Sequence, residues 1–139
     1  MYQSTLSVEL SRNDVSDLIA HRPGRAEVMA FGRTELMYTR DPRLENGNLK
    51  DEKGASFPVY RDRRGYARIL NSVDLFLLDS IEELGRSGVA SIGIDLRKRP
   101  PVLAKAVGEY IKKPDEKKRA RIEQMCGGFT YGLYRKGVQ

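Results

Sequence analysis

The run Arg25-Ala26-Glu27-Val28-Met29-Ala30-Phe31 is nearly continuously apolar after Glu27, and it constrains the fold more than any other segment of the chain. A strand with one wet face alternates polar and apolar residues. One without alternation is covered on both faces, as in a parallel sheet flanked by helices. The preceding residues fit that arrangement. Residues 4–10 place Thr5, Ser7 and Glu9 on one side and Leu6, Val8 and Leu10 on the other, which reads as a strand. Ser11 and Asp14 then have the spacing of an N-cap and an acidic N3 residue, and Val15, Leu18 and Ile19 recur at i, i+3 and i+4. His21-Arg22-Pro23-Gly24 stops that helix, and His21 at its end is read as complementing the carbonyl terminus.

Strand and helix signals continue to alternate downstream. Asp41-Pro42, Asn46-Gly47 and Lys53-Gly54 punctuate a polar stretch between Leu36-Met37-Tyr38 and two short β-prone runs, 56–60 and 66–70, so an excursion containing a hairpin is expected there. Residues 74–78 are too short and too apolar to assign by period. Ser80-Ile81-Glu82-Glu83 reads as a capping box, Gly88 as the end of the helix it opens, and 89–96 as the next strand. Pro100 and Pro101 open a helix with an apolar stripe of Val102, Leu103, Ala106, Val107, Tyr110 and Ile111. A more polar helix follows Pro114 and ends at Gly127-Gly128, before a last β-prone run over 129–134. With no repeat and no Pro/Ser-rich linker, residues 1–139 read as one α/β domain.

Composition narrows the chemistry. A lone cysteine, Cys126, excludes an intrachain disulfide and a cysteine cage, and one histidine leaves no zinc site within one chain. Cys126, just before two glycines, reads as a small buried hydrophobe. No apolar run approaches the roughly 20 residues of a membrane span, and no export signal opens the chain, so a cytoplasmic protein without membrane contact is expected. Charge is unevenly placed. Residues 97–121 hold ten of the 25 basic residues against three acids, while the remainder carries fifteen basic and sixteen acidic side chains; the net charge of +6 comes from that tract. A solvated helical face explains such a run, and so does an anionic partner.

The phosphate-loop, dinucleotide, zinc-protease and serine-hydrolase templates are all missing. Attention falls on charged residues at strand ends, because the carboxyl ends of parallel strands face the ligand crevice. Glu9 ends the first strand, Arg33 follows Gly32 after the second, and Asp95 with Arg97 closes the strand over 89–96. The loop Tyr60-Arg61-Asp62-Arg63-Arg64-Gly65-Tyr66 interleaves guanidiniums with aromatics, as a nucleic-acid surface or a solvated hairpin tip would.

Several segments resemble the collagenase-like peptidases, peptidase family U thirty-two. Thr5-Leu6-Ser7-Val8-Glu9-Leu10-Ser11 resembles that family's S-P-E-L-S strand end, and Ala26-Glu27-Val28-Met29-Ala30-Phe31-Gly32-Arg33 its E-V-x-V-H-G segment. Asn71-Ser72-Val73-Asp74-Leu75 resembles N-S-x-D-L. Gly88-Val89-Ala90-Ser91-Ile92-Gly93-Ile94-Asp95-Leu96-Arg97 resembles the family's G-V-x-S-x-K-I-E-G-R block, and Phe129-Thr130-Tyr131-Gly132-Leu133-Tyr134 its F-T-x-G-x-Y ending. Order and spacing agree along nearly the whole chain.

The resemblance implies the C-terminal half of a (β/α) TIM-barrel-like domain, since family members carry several βα units before the first of these segments. It implies a peptidase ancestry, with collagen as one substrate of the family. Some relatives hydroxylate RNA or ubiquinone precursors with an iron–sulfur cluster held by four cysteines. In this chain the H-G-x-x-C element is Phe31-Gly32-Arg33-Thr34-Glu35, Asp41 stands where a further cysteine is expected, and residues 43–68 contain none. Carboxylates and phenyl groups do not replace thiolates toward soft metals, so no cofactor is expected.

The leading expectation is therefore a truncated or separately encoded half-barrel, inactive alone, that self-associates or binds a chain supplying the missing strands. In the assembled barrel Glu9, Glu27, Asp95 and Arg97 are the catalytic candidates, the carboxylates as acid/base groups and Arg97 as an anion clamp. Arg33, Arg61 and Arg64 are the substrate-binding candidates, and a peptide is the expected substrate. The rival expectation is a basic module in which residues 97–121 and 61–68 bind RNA or another polyanion.

Overall fold

The computed structural model describes residues 3–21 and 24–135. They form two compact units, one from the residues up to Gly32 and from Leu75 onward, the other Arg33–Asp74. The architecture is mixed α/β, with four α-helices and two sheets, and no closed barrel is seen among the described residues.

The first unit is built on a parallel core of three strands. β1 (Gln3–Thr5) pairs with β2 (Arg25–Gly32) in parallel, and β2 pairs in parallel with β8 (Ser91–Ile94). The end of β2 also meets β7 (Asp74–Phe76), antiparallel, and β7 neighbours β9 (Phe129–Thr130). The central position of β2 is the physical reason its sequence lacks alternation: Val28, Ala30 and Phe31 are all buried. Both flanking strands are shorter than their patterns suggest. The strand expected over 4–10 ends at Thr5, and that over 89–96 keeps four residues; beyond them only single backbone bonds from Leu6, Ala90 and Asp95 reach β2. The β-prone run 129–134 contributes two paired residues before the chain turns.

α1 (Arg12–His21) starts as its sequence dictates. Ser11 N and Ser11 Oγ donate to Asp14 Oδ2 at 2.9 and 2.7 Å, and Asp14 N donates to Ser11 Oγ at 3.2 Å, a reciprocal capping box. At the other end His21 Nδ1 lies 2.7 Å from the Asp17 carbonyl oxygen, the position expected for a ring complementing the last turn. α2 (Ile81–Arg86) departs from expectation: its Ser80 makes no capping bond, because Ser80 Oγ donates instead to Asp79 Oδ1 at 3.3 Å. Glu83, the other half of the expected box, is recruited away from the backbone. It accepts from Tyr134 Oη at 3.2 Å and lies 3.0 Å from Arg12 Nε.

α3 (Pro101–Lys112) buries Leu103, Ala106, Val107 and Tyr110. Val102, placed in the stripe by spacing, is 49% exposed, since it lies beyond the edge of the arc that Leu103 and Tyr110 define. Asp115 caps α4 (Glu116–Cys126) by accepting from Lys118 N at 2.7 Å, and Gly127 ends it with φ +74°. Ile122 and Cys126 are the buried residues of this otherwise polar helix. Packing between sheet and helices centres on an aromatic cluster: Phe76 stacks on Phe129 at 4.3 Å between centroids and meets Phe31 and Tyr110 edge-on at 6.2 and 5.5 Å. Full burial of side chains such as Leu84, Leu103 and Ile122 is worth about 1.5–3 kcal/mol each. No helix of the described residues is long and apolar enough to cross a membrane.

The second unit is a four-stranded antiparallel sheet ordered β3-β6-β5-β4, from β3 (Glu35–Thr39), β4 (Gly47–Lys50), β5 (Ser56–Arg61) and β6 (Ala67–Leu70). The expected hairpin is thus β5–β6, turning at residues 62–66, with a further strand on each side. Sequence pattern missed β4 because Gly47-Asn48-Leu49-Lys50 is polar and wholly exposed; only its ladder with β5 makes it a strand.

Candidate functional site

Side chains alternate across β2, so the face opposite Val28 and Ala30 carries Glu27 and Met29. Register places Thr5 of β1 and Ser91 of β8 directly beside Glu27. Three side chains from the two neighbouring strands converge on its carboxylate. Thr5 Oγ1 donates to Oε1 at 3.1 Å, while Gln3 Nε2 and Ser91 Oγ donate to Oε2, each at 3.3 Å. Gln3 Nε2 also lies 3.3 Å from Ser91 Oγ, which links the donors to one another. Glu27 is half-buried, and each of its hydrogen-bond donors among the described residues is neutral.

Glycine completes this face. Gly93 of β8 points no side chain at the cluster; a Cβ built there meets Glu27 Oε1 at 3.4 Å and Met29 Sδ at 3.6 Å. A methyl group there would make ordinary contacts, so the glycine leaves room for a group of about that size beside Oε1.

Asp95 and Arg97 form a separate constellation beyond β8. Arg97 Nε donates to Asp95 Oδ1 at 3.0 Å and Nη2 to Oδ2 at 2.7 Å, a bidentate pair. The hydrogen bonds from Arg97 hold the Asp95 carboxyl below the ordinary aspartate value despite partial burial. Asp95 is anchored in turn by its N–H, which donates to Phe31 O at 2.9 Å. Glu9 lies in the turn beyond β1 and is exposed. Among the described residues no hydrogen bond or ion pair joins Glu27 to the other catalytic candidates Glu9, Asp95 and Arg97. Glu27 itself sits at the third residue of β2, beside the first residue of β8, rather than at the carboxyl end of its strand.

In the second unit Arg61 is committed to the fold. Its Nη1 donates to the carbonyls of Asp41 and Leu44 at 3.1 and 2.7 Å, and Nη2 to that of Gly65 at 3.3 Å. Arg64 is exposed at the β5–β6 turn, and Arg33 Nε is buried without a hydrogen-bond partner among the described residues. The aromatic and arginine interleaving seen in the sequence becomes a packed row: Tyr38 and Tyr66 stack at 4.5 Å, with Arg68 4.6 Å from the first ring centroid and Arg40 4.7 Å from the second. Tyr38 nonetheless remains 42% exposed.

The basic tract also divides. Lys118 pairs with Asp115 at 3.6 Å and donates to Lys113 O at 2.7 Å. Arg119 lies over Phe76 and Phe129, 5.2 and 5.5 Å from their centroids, and donates to Tyr131 Oη. Lys105, Lys112, Lys113, Lys117 and Arg121 are exposed.

A cleft of about 630 Å³ in the first unit lies outside the sequence expectations. Arg12, Asp79, Ser80, Glu83, Tyr110 and Arg135 are among the residues lining it. Two ion pairs line it, Arg12 with Glu83 and Arg135 with Asp79, both at 3.0 Å, alongside Glu82, Arg86 and Lys112. Its residues come from four separated parts of the chain, so no local motif announces it. Among the described residues no three His, Cys, Asp or Glu side chains group in a way that would hold a metal ion. Compared with known proteins, the chain matches no family model, no curated protein and no solved structure.

Proposed function

We propose that the chain is the C-terminal part of a (β/α) barrel of the collagenase-like peptidase type, inactive by itself, whose peptide-directed site forms when other strands complete its sheet. The observation that carries this reading is the set of neutral donors around Glu27 on the sheet face opposite Val28 and Ala30. In a (β/α) barrel that face is the interior, filled by inward-pointing side chains of adjacent parallel strands. Here β1, β2 and β8 are adjacent and parallel, and helices α1 and α2 intervene along the chain, as repeated βα units require. Among the described residues β1 and β8 pair on one side only, which leaves two edges for further strands.

Within that reading the roles separate. Arg97 keeps Asp95 ionised and is itself neutralised by it, which disfavours Asp95 as a proton donor and Arg97 as a free anion clamp. Glu27, oriented by three side chains, is the carboxylate that meets the peptide. Sedimentation equilibrium tests the proposal, on the chain alone and with a chain spanning the family's N-terminal half-barrel. A self-associated species or a one-to-one complex is expected, with gelatin-peptide hydrolysis that Glu27→Gln abolishes. A well-folded monomer that binds no such chain overturns it.

A further inference from the structure

The half-buried carboxylates of the first unit are Glu27, Glu83, Asp95 and Glu123. Three of them face an arginine: Glu83 has Arg12 at 3.0 Å, Asp95 has Arg97 at 2.7 Å and Glu123 has Arg119 at 3.4 Å. Glu27 has none among the described residues, in a chain with 25 basic side chains against 19 acidic ones. A partly desolvated carboxylate normally draws a cation, because hydroxyl and amide donors satisfy its lone pairs without cancelling its charge. Here the donors fix the carboxylate in place and the charge is left over. The missing side chain at Gly93 keeps room beside Oε1, the oxygen that receives one bond, from Thr5, whereas Oε2 receives two.

We infer that Glu27 is a binding site for an alkylammonium group, supplied by the amino terminus or a lysine side chain of a peptide, which enters the space left open by Gly93. The inference rests on the barrel reading only in naming a peptide as the bearer of the ammonium. An ammonium offers three donors, so it can bond Oε1 while keeping contact with solvent or with the Thr5 hydroxyl oxygen. The carboxylate is pre-positioned by Thr5, Gln3 and Ser91, which lowers the ordering cost of binding. Met29, on the same face beside Gly93, offers an apolar surface for the adjoining methylene groups.

The test is an NMR titration of the 139-residue chain with three probes: triglycine amide, N-acetyl-triglycine amide, and N-acetyl-Gly-Lys-Gly amide. Saturable shifts at Thr5, Glu27 and Ser91 are expected with at least one ammonium-bearing probe and not with acetylated triglycine. Response to triglycine amide alone assigns the amino terminus; response to the lysine probe alone assigns the side chain. Glu27→Gln should weaken binding at least tenfold. Gly93→Ala should do the same with the carboxylate intact, by filling the space, and its backbone carries no positive φ that a methyl would strain. Equal shifts with the acetylated probe, or none with any probe, overturn the inference. Ammonium binding by a chain that stays a lone monomer would overturn the barrel reading and leave this site standing; complex formation without ammonium binding would do the reverse.

Discussion

Gly32 and Asp95 approach so closely that a Cβ on the glycine would lie 2.6 Å from the Asp95 carbonyl oxygen and 2.9 Å from its Cβ. Gly32 also holds φ at +124°, a region L side chains rarely enter. The contact seats Asp95, and through it Arg97, at the end of β2. Gly32→Ala is expected to destabilise the chain by about 2–4 kcal/mol through combined strain and steric displacement. Urea denaturation followed by circular dichroism measures it; a loss below about 0.5 kcal/mol would mean the approach is relieved at no cost.

The Asp95–Arg97 pair predicts an acid response. Asp95 is held below the ordinary aspartate value in the folded state, chiefly by hydrogen bonds from Arg97. A depressed folded-state value contributes stability above the unfolded aspartate value and loses it as pH falls through the folded one. The midpoint of urea unfolding should therefore decline from about pH 4 downward. Arg97→Gln should flatten that decline, whereas an unchanged profile would remove the pair as its source. At Asp41 the side-chain hydrogen bond from Arg43 is the main cause that lowers the carboxyl to about 2, and Arg43→Ala should return it toward the ordinary aspartate value in a carbon-detected titration.

Asp115 satisfies the Lys118 amide at the start of α4, a helix of otherwise polar residues. Asp115→Ala is expected to cost about 1 kcal/mol, and Asp115→Asn or Asp115→Ser to recover most of it, since each still offers a capping oxygen. Equal stabilities of the alanine and asparagine variants would show that the cap contributes nothing.

Arg119 belongs to the basic tract by sequence and to the aromatic cluster by contact, with 21% of its side chain exposed. Arg119→Gln should destabilise by about 1–3 kcal/mol, from lost cation–π contact and lost packing of its stem. Lys117→Gln, on the exposed side of the same helix, should stay within about 0.5 kcal/mol. Thermal melts of the two variants side by side distinguish a cation built into the fold from one left at the surface.

The sequence by itself determined the local elements whose signals are covalently close. The Ser11–Asp14 box, the stop at His21, the unbroken apolar run of β2, the opening of α3 at Pro101 and the end of α4 at Gly127 all follow from neighbours within a few residues. Backbone donors at a helix end need a partner nearby in the chain, so the partner is written next to them. Tertiary structure decided the rest, because long-range competition reassigns the same side chains. Ser80 and Glu83 carry a capping-box sequence, yet Asp79 and Tyr134 claim their hydrogen bonds and Arg12 pairs with the Glu83 carboxylate. Gly47-Asn48-Leu49-Lys50 has no strand pattern and becomes one by pairing with β5. Glu27 was legible as a candidate carboxylate; what surrounds it was not. Gln3, Thr5, Ser91 and Gly93 are up to 66 residues away in sequence, and only the register of three parallel strands brings them beside one carboxylate, which meets no cation among the described residues.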